Sequence, residues 1–254
     1  MNEKQSQQPE FDFEAVFEVD DYLYYYRDML TDDLTDRQVS ALVEVLKLNQ
    51  PVRILDLACG YGRHANRLAS LGHQVVGIDL TEGFLEIARR DAQARGVQVD
   101  YRQGDMRQLD FDQEFDVVLS LSTAFGYYSD DENLDVLHRI HNALRSGGML
   151  VLDIPNRDTF LSNIRADVVT EKEGNLMIER HNFDPLSGRL YNRRILIRDG
   201  VRKDKPFFTR LYNPTEISAL LKQVGLEVRQ MLGDWDSQPV SLETRRMIII
   251  AEKI

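Results

Sequence analysis

The chain has 254 residues, with 31 Lys and Arg against 42 Asp and Glu, a formal net charge of −11, and a single cysteine, Cys59. The length suits one large domain or one domain with an elaboration, and 43% hydrophobic with 29% charged residues is typical of a soluble globular protein. Because binding to phosphates requires clustered Lys and Arg, the acidic balance predicts no nucleic-acid partner. One cysteine excludes an internal disulfide and a thiolate metal cluster. The polar N-terminus and the lack of a long apolar run predict a cytoplasmic protein with no membrane partner.

The first 155 residues predict a tail, a helical segment and then alternating strands and helices. Residues 1–14 are expected to be a disordered tail, and residues 15–50 a helical lid of one or two helices, broken near 31–33. From Pro51 the alternation implies βαβ crossovers and a mostly parallel sheet with helices on both faces. Gly147-Gly148 is predicted to cap the last of these helices, and Thr81 to begin the second. The predicted strands are 52–57, 74–79, 98–103, 115–121 and 149–154, and the helices between them are 62–71, 82–95 and 131–144.

The pattern changes after Pro155. A short helical piece precedes three strand-like stretches at 176–184, 188–198 and 205–212, which are separated by turn signals such as Asp199-Gly200. Residues 156–212 are therefore expected to form an antiparallel β insert that acts as a cap or as an interface. Pro214 and Thr215 then open a helix that Gly225 ends, and strands at 226–232 and 245–253 complete a seven-stranded core built from 51–155 and 213–254.

The loop after the first strand poses a choice between two ligands. Gly60, Gly62 and Ala65 fit the G-x-G-x-x-G/A spacing of a dinucleotide-binding loop. However, Asp56 and Asp79 follow strand runs, so both carboxylates are expected at the carboxyl edge of the sheet, where ligands of such folds bind. A pyrophosphate would meet like charge there, whereas a cationic ligand reverses the sign of the interaction. S-adenosylmethionine (SAM), which has an ammonium, a sulfonium and no phosphate, suits this loop.

Five motifs in order carry a family resemblance over about 52–154 and the closing strands: "DLACGYG", "GIDL", "QGDM", "FDVVLSL" and "LRSGGMLVLDI". The chain resembles class I SAM-dependent methyltransferases of the small-molecule type, with Ala58 in place of the first motif glycine. This resemblance implies an α/β, Rossmann-like, seven-stranded, mostly parallel sheet with helices on both faces, plus the antiparallel insert. It also implies SAM as the cofactor and no metal.

The resemblance implies a role for each cofactor-binding residue. Asp56 and the backbone of 58–62 would meet the methionine part, and Asp79 would accept both ribose hydroxyls. Asp105 would take the adenine amino group, and the Leu121 carbonyl would face the ammonium. The implied cofactor-binding set is Asp56, Ala58, Cys59, Gly60, Gly62, Asp79, Leu80, Phe84, Asp105, Met106, Leu121 and Ser122.

The acceptor site is predicted from three stretches, "YLYYYRDM", "STAFGYYSD" and the insert. Methyl transfer needs an aligned lone pair, which a neutral amine supplies and a hydroxyl gains only from a general base. The arginines of the insert could read a carboxylate or phosphate, although a solvated strand face or a subunit interface explains them equally well. An amphipathic helix that packs on the sheet likewise explains the tyrosines. The catalytic candidates are Tyr25, Tyr127 and His181, and the substrate candidates are Tyr22, Tyr26, Phe125, Tyr128, Arg194, Arg210 and Trp235.

The sequence therefore predicts methyl transfer to a small-molecule acceptor. N-methylation is favoured because no base for an oxygen acceptor stands out. An NAD(P)-dependent oxidoreductase, an O- or C-methyltransferase, a macromolecule methylase and a non-catalytic SAM-binding interaction domain remain alternatives. A homodimer or higher homo-oligomer through the insert is the expected mode of any self-association. Cys59 is expected to fill a tight turn, and His138 and His141 to lie on a solvated helix face, because no third metal ligand is near in sequence.

Overall fold

The computed structural model describes residues 11–254, and residues 1–10, which include most of the predicted tail, lie outside this range. The helices are α1 Phe13–Val16, α2 Val19–Tyr26, α3 Asp32–Val45, α4 Arg63–Ser70, α5 Glu82–Arg95, α6 Asp130–Ala143, α7 Arg157–Ser162 and α8 Pro214–Gln223. The strands are β1 Arg53–Leu57, β2 Gln74–Asp79, β3 Asp100–Gln103, β4 Phe115–Ser120, β5 Leu144–Pro155, β6 Asp167–Lys172, β7 Asn175–Asp184, β8 Arg189–Arg198, β9 Val201–Arg210, β10 Leu226–Leu232 and β11 Arg246–Lys253. No helix within 11–254 is long and apolar enough to cross a membrane.

A seven-stranded sheet in the order β10-β11-β5-β4-β1-β2-β3 forms the centre of the molecule. Strands β1 to β5 are parallel, and β11 runs antiparallel to both β5 and β10. Alternate residues of β1 pack on opposite faces: Leu55 joins the apolar cluster under α6 and α8, and Ile54 joins the cluster under α3, α4 and α5. The predicted mostly parallel sheet with helices on both faces is confirmed. The strand order reverses between β1 and β4, so a crevice opens at their carboxyl ends.

The insert is a second, four-stranded antiparallel sheet in the order β6-β7-β8-β9. Three of its strands were predicted. The fourth, β6, has three charged residues among its six and no fully buried side chain, so its sequence has no clear apolar alternation. Tyr25 of α2 packs with Met177 of β7 and Leu196 of β8, so the N-terminal helix rests on the insert.

Two local predictions were wrong. Helix α6 ends at Ala143 and β5 begins at Leu144, so Gly147 and Gly148 lie inside a strand and do not cap a helix. A Cβ at Gly148 would lie 2.9 Å from the Arg145 carbonyl oxygen, which gives a packing reason for glycine there. The described end of the predicted tail is not disordered, because Phe13 begins α1 after an N-cap at Asp12. Thr81 does take the N-cap position of α5, but its side chain accepts no capping bond.

Candidate functional site

A cavity of about 1070 Å³, including its open mouth, lies at the carboxyl edge of the central sheet. The loops after β1, β2, β3 and β4 form its floor and sides, and α1, α2 and their junction complete the lining. The predicted cofactor residues that line it are Asp56, Ala58, Cys59, Gly60, Asp79, Leu80, Phe84, Asp105, Met106, Leu121 and Ser122.

The glycine loop turns sharply and is bonded to the end of β2. Ala58, Gly60 and Gly62 all have left-handed backbones, with φ of 52°, 56° and 75°. The Gly60 amide donates to Oδ2 of Asp79 at 2.8 Å, so that N–H is already used by a carboxylate of the chain. Gly62 does not line the cavity. A Cβ there would lie 2.2 Å from the Tyr101 hydroxyl, so this glycine is required by packing beneath the loop.

Two buried carboxylates face the cavity. Asp56 is 2% exposed, and its Oδ2 has no hydrogen-bond partner within the described residues. Burial raises the pKa of Asp56 to about 7, against the opposing charge of Arg63 and with the help of the negative charge of Asp79. Burial also raises the pKa of Asp79, although amide bonds from Thr81 and Gly60 oppose the shift. Within 11–254, neither carboxylate has a cation at bonding distance, so the cavity suits a ligand that brings positive charge.

Asp105 differs from these two because it already has a cationic partner. Arg107 donates to its Oδ2 at 2.6 Å, also pairs with Glu132 at 2.8 Å, and lies 4.5 Å over the Tyr128 ring. Burial acts to raise the pKa of Asp105, but the bonds from Arg107 outweigh burial and lower it. The Asp105 carboxylate is therefore ionised and held in a fixed orientation at the edge of the cavity.

Arg63, the first residue of α4, is a cavity residue that the sequence analysis did not identify. It is 8% exposed and donates to Gln38 Oε1 at 2.6 Å, Thr35 Oγ1 at 3.0 Å and Ser122 Oγ at 2.6 Å. All three acceptors are neutral, and no carboxylate within 11–254 forms an ion pair with it. Burial lowers the pKa of Arg63, yet a guanidinium stays charged at any ordinary pH. A buried cation without an anion points to an anionic group on the ligand.

His64, the next residue, is neutral and hydrogen-bonded to α3. Its Nε2 lies 2.9 Å from Gln38 Oε1, the same oxygen that Arg63 contacts, so this nitrogen carries the hydrogen. Burial lowers the pKa of His64 well below its usual value, and the nearby charge of Arg63 adds to the shift. His64 thus holds Gln38 against Arg63.

The loop after β4 is strained where it borders the cavity. Ser122 and Thr123 have φ of 56° and 66°, a conformation that is rare for non-glycine residues and rarest for β-branched ones. Asp153 holds both, because its Oδ2 accepts from the Ser122 amide and its carbonyl accepts from the Thr123 amide, each at 2.9 Å. Arg246 bonds Asp153 Oδ1 at 2.7 Å and Thr123 Oγ1 at 2.9 Å. The ion pair between Asp153 of β5 and Arg246 of β11 therefore fixes the loop after β4.

Aromatic rings from the N-terminal segment and from the loop after β4 form another part of the lining. We call them the aromatic cage, defined by Phe13, Phe17, Tyr22, Tyr127 and Tyr128. Phe17 meets Tyr127 edge to face with centroids 5.6 Å apart, and Phe13 lies 5.2 Å from Tyr128. Burial raises the pKa of Tyr22 to about 12 and also raises that of Tyr127. These phenols are protonated at neutral pH and cannot serve as ready bases.

Two of the three predicted catalytic residues do not reach the cavity. Tyr25 is 4% exposed inside the contact between α2 and the insert, where it packs with Met177 of β7 and Leu196 of β8. The Nδ1 of His181 lies 2.9 Å from the Arg165 carbonyl oxygen, and its ring packs on Phe160. Neither residue is therefore placed to act directly in methyl transfer, which corrects both predictions. Of the three catalytic candidates, Tyr127 lines the cavity.

Five predicted substrate residues also lie outside the lining. Phe125 is 1% exposed and stacks on Tyr212, and Trp235 packs against the apolar cluster under α3 to α5. Tyr26 lies behind Tyr22, with ring centroids 4.9 Å apart. These three rings support the site from behind the cavity wall.

The two arginines predicted to read an acceptor anion are already paired. Arg194 bonds Glu179 at 2.9 Å, its neighbour across the β7–β8 ladder. Arg210 pairs with Glu216 and, at 3.3 Å, with Asp130. Neither guanidinium lines the cavity, so the predicted anion-reading role is corrected for both. Within 11–254, no three His, Cys, Asp or Glu side chains converge as a metal site.

Comparison with known proteins agrees with this geometry. Residues 54–148 match the family described as a methyltransferase domain. The chain is 26% identical over 206 residues to the cypemycin N-terminal methyltransferase of a Streptomyces species, covering 79% of this chain and 82% of that protein. It is 35% identical over 108 residues to a ubiquinone biosynthesis O-methyltransferase of Ruegeria pomeroyi, covering 42% of each. The structure of a SAM-dependent methyltransferase from Clostridium acetobutylicum superimposes with a TM-score of 0.77 at 19% identity, over 92% of this chain and 97% of that one.

Proposed function

The chain belongs to the class I SAM-dependent methyltransferases, and we propose that it transfers the methyl group of SAM to an amine nitrogen of a small-molecule acceptor. The observation that carries the proposal is that buried carboxylates with no ion pair among the described residues share one cavity with protonated, buried phenols. A neutral amine already carries an available lone pair, whereas a hydroxyl must lose its proton to a base as it attacks. The single imidazole in the described lining, His64, is already bonded to Gln38. The likeness to an N-terminal methyltransferase also supports nitrogen as the acceptor atom.

The charges of the lining match the charges of SAM one by one. Arg63 would pair with the methionine carboxylate, since it is buried without an anionic partner. Asp56 would accept from the ammonium through its unpartnered Oδ2. Each oxygen of Asp79 accepts one backbone N–H, which leaves a lone pair on each for a ribose hydroxyl. Asp105 and Met106 line the remaining end, where the adenine would lie.

When bound, SAM supplies an electrophilic methyl group on a sulfonium. The contribution of the chain is orientation and exclusion of water. The Asp153–Arg246 pair holds the loop after β4 in place, and α1 and α2 complete the cavity wall, so an acceptor can be fixed against the methyl group. We propose that these helices and the insert together act as the cap.

Two alternatives are less consistent with the cavity. A dinucleotide would need the glycine-loop amides for its pyrophosphate, but the Gly60 amide already bonds Asp79, and two buried carboxylates would repel the phosphates. A non-catalytic SAM-binding domain would not need the aromatic cage that lies beside the groups that match SAM.

Methyl-labelled SAM tests the proposal. The protein is incubated with labelled SAM and a pooled small-molecule extract, and mass spectrometry locates the label in the products. We expect labelled N-methyl products, which Arg63→Gln reduces strongly through cofactor binding. Arg145→Gln, which removes an exposed cation paired with Asp116 outside the cavity lining, is the matched control and should leave the yield unchanged. Label on oxygen, on carbon or only on macromolecules would contradict the proposal.

A further inference from the structure

The aromatic cage favours positive charge. Phe13 and Phe17 both present rings to Tyr127, with centroids 6.4 and 5.6 Å apart in edge-on arrangements. Aromatic faces carry negative potential and attract ammonium groups, most strongly when water is excluded. Tyr22 and Tyr128 add two more rings to the same lining. The cage also shares its cavity with the carboxylates of Asp56 and Asp79, so its electrostatic environment disfavours anions.

The cations close to the cage are neutralised by the chain itself. Arg194 lies 4.6 Å from the Phe207 ring, behind the cage, and is bonded to Glu179. Arg107, which lies over Tyr128, bonds Asp105 and Glu132. Among the described residues that line the cavity, Arg63 is the cation without a carboxylate partner, and the cofactor carboxylate accounts for it. A carboxylate or phosphate on the acceptor would therefore find no free positive charge inside the cavity.

We propose that the part of the acceptor inside the cavity carries a neutral amine and no anionic group, and that the aromatic cage favours it through the positive charge that the nitrogen gains on methylation. The inference rests on the proposed N-methylation. As the nitrogen lone pair takes the methyl group, the bonding electrons stay on sulfur and the nitrogen becomes cationic. Its N–H proton passes to bulk water, through the open mouth or after the product leaves. The cage stabilises the charge as it forms, which is where catalysis gains from stabilisation.

Three probes of matched shape test this selection. They are the cation choline, its uncharged isostere 3,3-dimethylbutan-1-ol, in which carbon replaces nitrogen, and the anion 3,3-dimethylbutanoate (tert-butylacetate). Each is titrated into the protein saturated with S-adenosylhomocysteine, and the affinity is measured by ligand-observed NMR. We expect choline to bind about 2- to 30-fold more tightly than the isostere, and tert-butylacetate to bind more weakly than either. Equal affinity for the isostere, tighter binding of the acid, or no binding of any of the three would overturn the proposal.

Variants separate the cage from the rest of the cap. Tyr127→Leu is expected to reduce the ratio of choline to isostere affinity at least about threefold, because a π face is lost while apolar contact remains. Tyr191→Leu is the matched control, since Tyr191 packs on Phe208 of the insert and does not line the cavity. If Tyr191→Leu lowers the ratio as much as Tyr127→Leu, the cage is not the selector.

Product analysis keeps the two proposals distinguishable. N-methyl products together with no preference for choline would refute the cage and leave the proposed function standing. A preference for choline together with label on oxygen would refute N-methylation and leave the charge selection standing.

Discussion

At the scale of single residues, the site combines strain and buried charge at positions that touch the cavity. Ala58, Ser122 and Thr123 hold left-handed backbones without being glycine, and Asp56 and Arg63 are buried without an ion-pair partner of the chain. Each feature costs stability in the absence of ligand. Their concentration at one cavity indicates that the sequence is adapted to a bound ligand and not to the empty fold.

Ala58→Gly should stabilise the protein. A left-handed alanine costs about 1–2 kcal/mol, and the added freedom of glycine in the unfolded chain returns part of this. We expect the free energy of unfolding, measured in urea, to rise by about 0.5–1 kcal/mol. Ala94→Gly on the exposed side of α5 is the control and should lower it by about 1 kcal/mol. Equal losses in the two variants would show that φ at position 58 stores no strain.

Asp56 should give cofactor binding a pH signature. The folded pKa of Asp56, about 7, lies above the usual aspartate value of 3.8, so the stability from its neutral form is present below pH 3.8 and is lost as pH rises through 7. An ammonium beside Asp56 favours the carboxylate, so binding at pH 6 should release a proton. Calorimetry of S-adenosylhomocysteine binding in two buffers of different ionisation enthalpy measures this release. Asp56→Asn should abolish it; equal proton release in wild type and variant would place the titrating group elsewhere.

At the scale of elements, α2 is fastened to the insert by a charged cluster. Asp21 is 4% exposed and accepts from Lys205 at 2.7 Å, Lys203 at 2.8 Å and Arg198 at 3.3 Å. Burial acts to raise the pKa of Asp21, but the bonds from Lys203 and Lys205 outweigh it and the pKa falls below its usual range. Since Tyr22 is the next residue, this cluster fixes one wall of the aromatic cage.

Asp21→Asn should loosen α2 without disturbing the sheet. Removing the carboxylate leaves buried Lys205 with only the more distant Glu18 carboxylate, at 3.8 Å, and the loss of a buried pair costs up to about 3–5 kcal/mol. We expect faster amide hydrogen exchange over 19–26 and acceptor kcat/KM reduced at least about tenfold, with a smaller change in cofactor affinity. Asp20→Asn, an exposed neighbour on the same helix, is the matched control. Similar exchange rates in the two variants would mean that Asp21 does not hold the helix.

Helices and strands of the core could be predicted because their periodicity is strong, and β2 and α5 have the predicted bounds. Strand β6 was missed because half of its residues are charged and no apolar alternation marks it. Gly147-Gly148 was misassigned because a glycine pair can end a helix and can equally relieve crowding in a strand. The roles of Tyr22 and Tyr25 could not be separated, since both lie on one short helix with partners on two different surfaces. Nothing in the sequence around Arg63 indicates that it lines the cavity. Its position depends on hydrogen bonds to α3, which is distant in sequence.

At the scale of the whole molecule, the two sheets have different roles in the proposed site. The central sheet brings the proposed cofactor residues to one edge, whereas the N-terminal helices form part of the proposed acceptor wall and the insert supports them. The insert has two edge strands, β6 and β9, and Val169 of β6 is 61% exposed. If copies of the chain associate through the insert, Val169→Lys should shift sedimentation velocity from dimer to monomer. A monomeric wild type would exclude this interface.

The dissociation constant of S-adenosylhomocysteine for wild type, Asp79→Ala and Asp116→Ala tests the central claim, that the carboxyl edge of the sheet holds the cofactor. Asp116 also accepts a backbone N–H, from Arg53 at 2.7 Å, but lies at the amino end of β4. For Asp79→Ala we predict binding weakened by about 5–150-fold, the equivalent of about 1–3 kcal/mol for ribose hydroxyls left unpaired. For Asp116→Ala we predict no change. An unchanged constant in a folded Asp79→Ala protein would contradict the account.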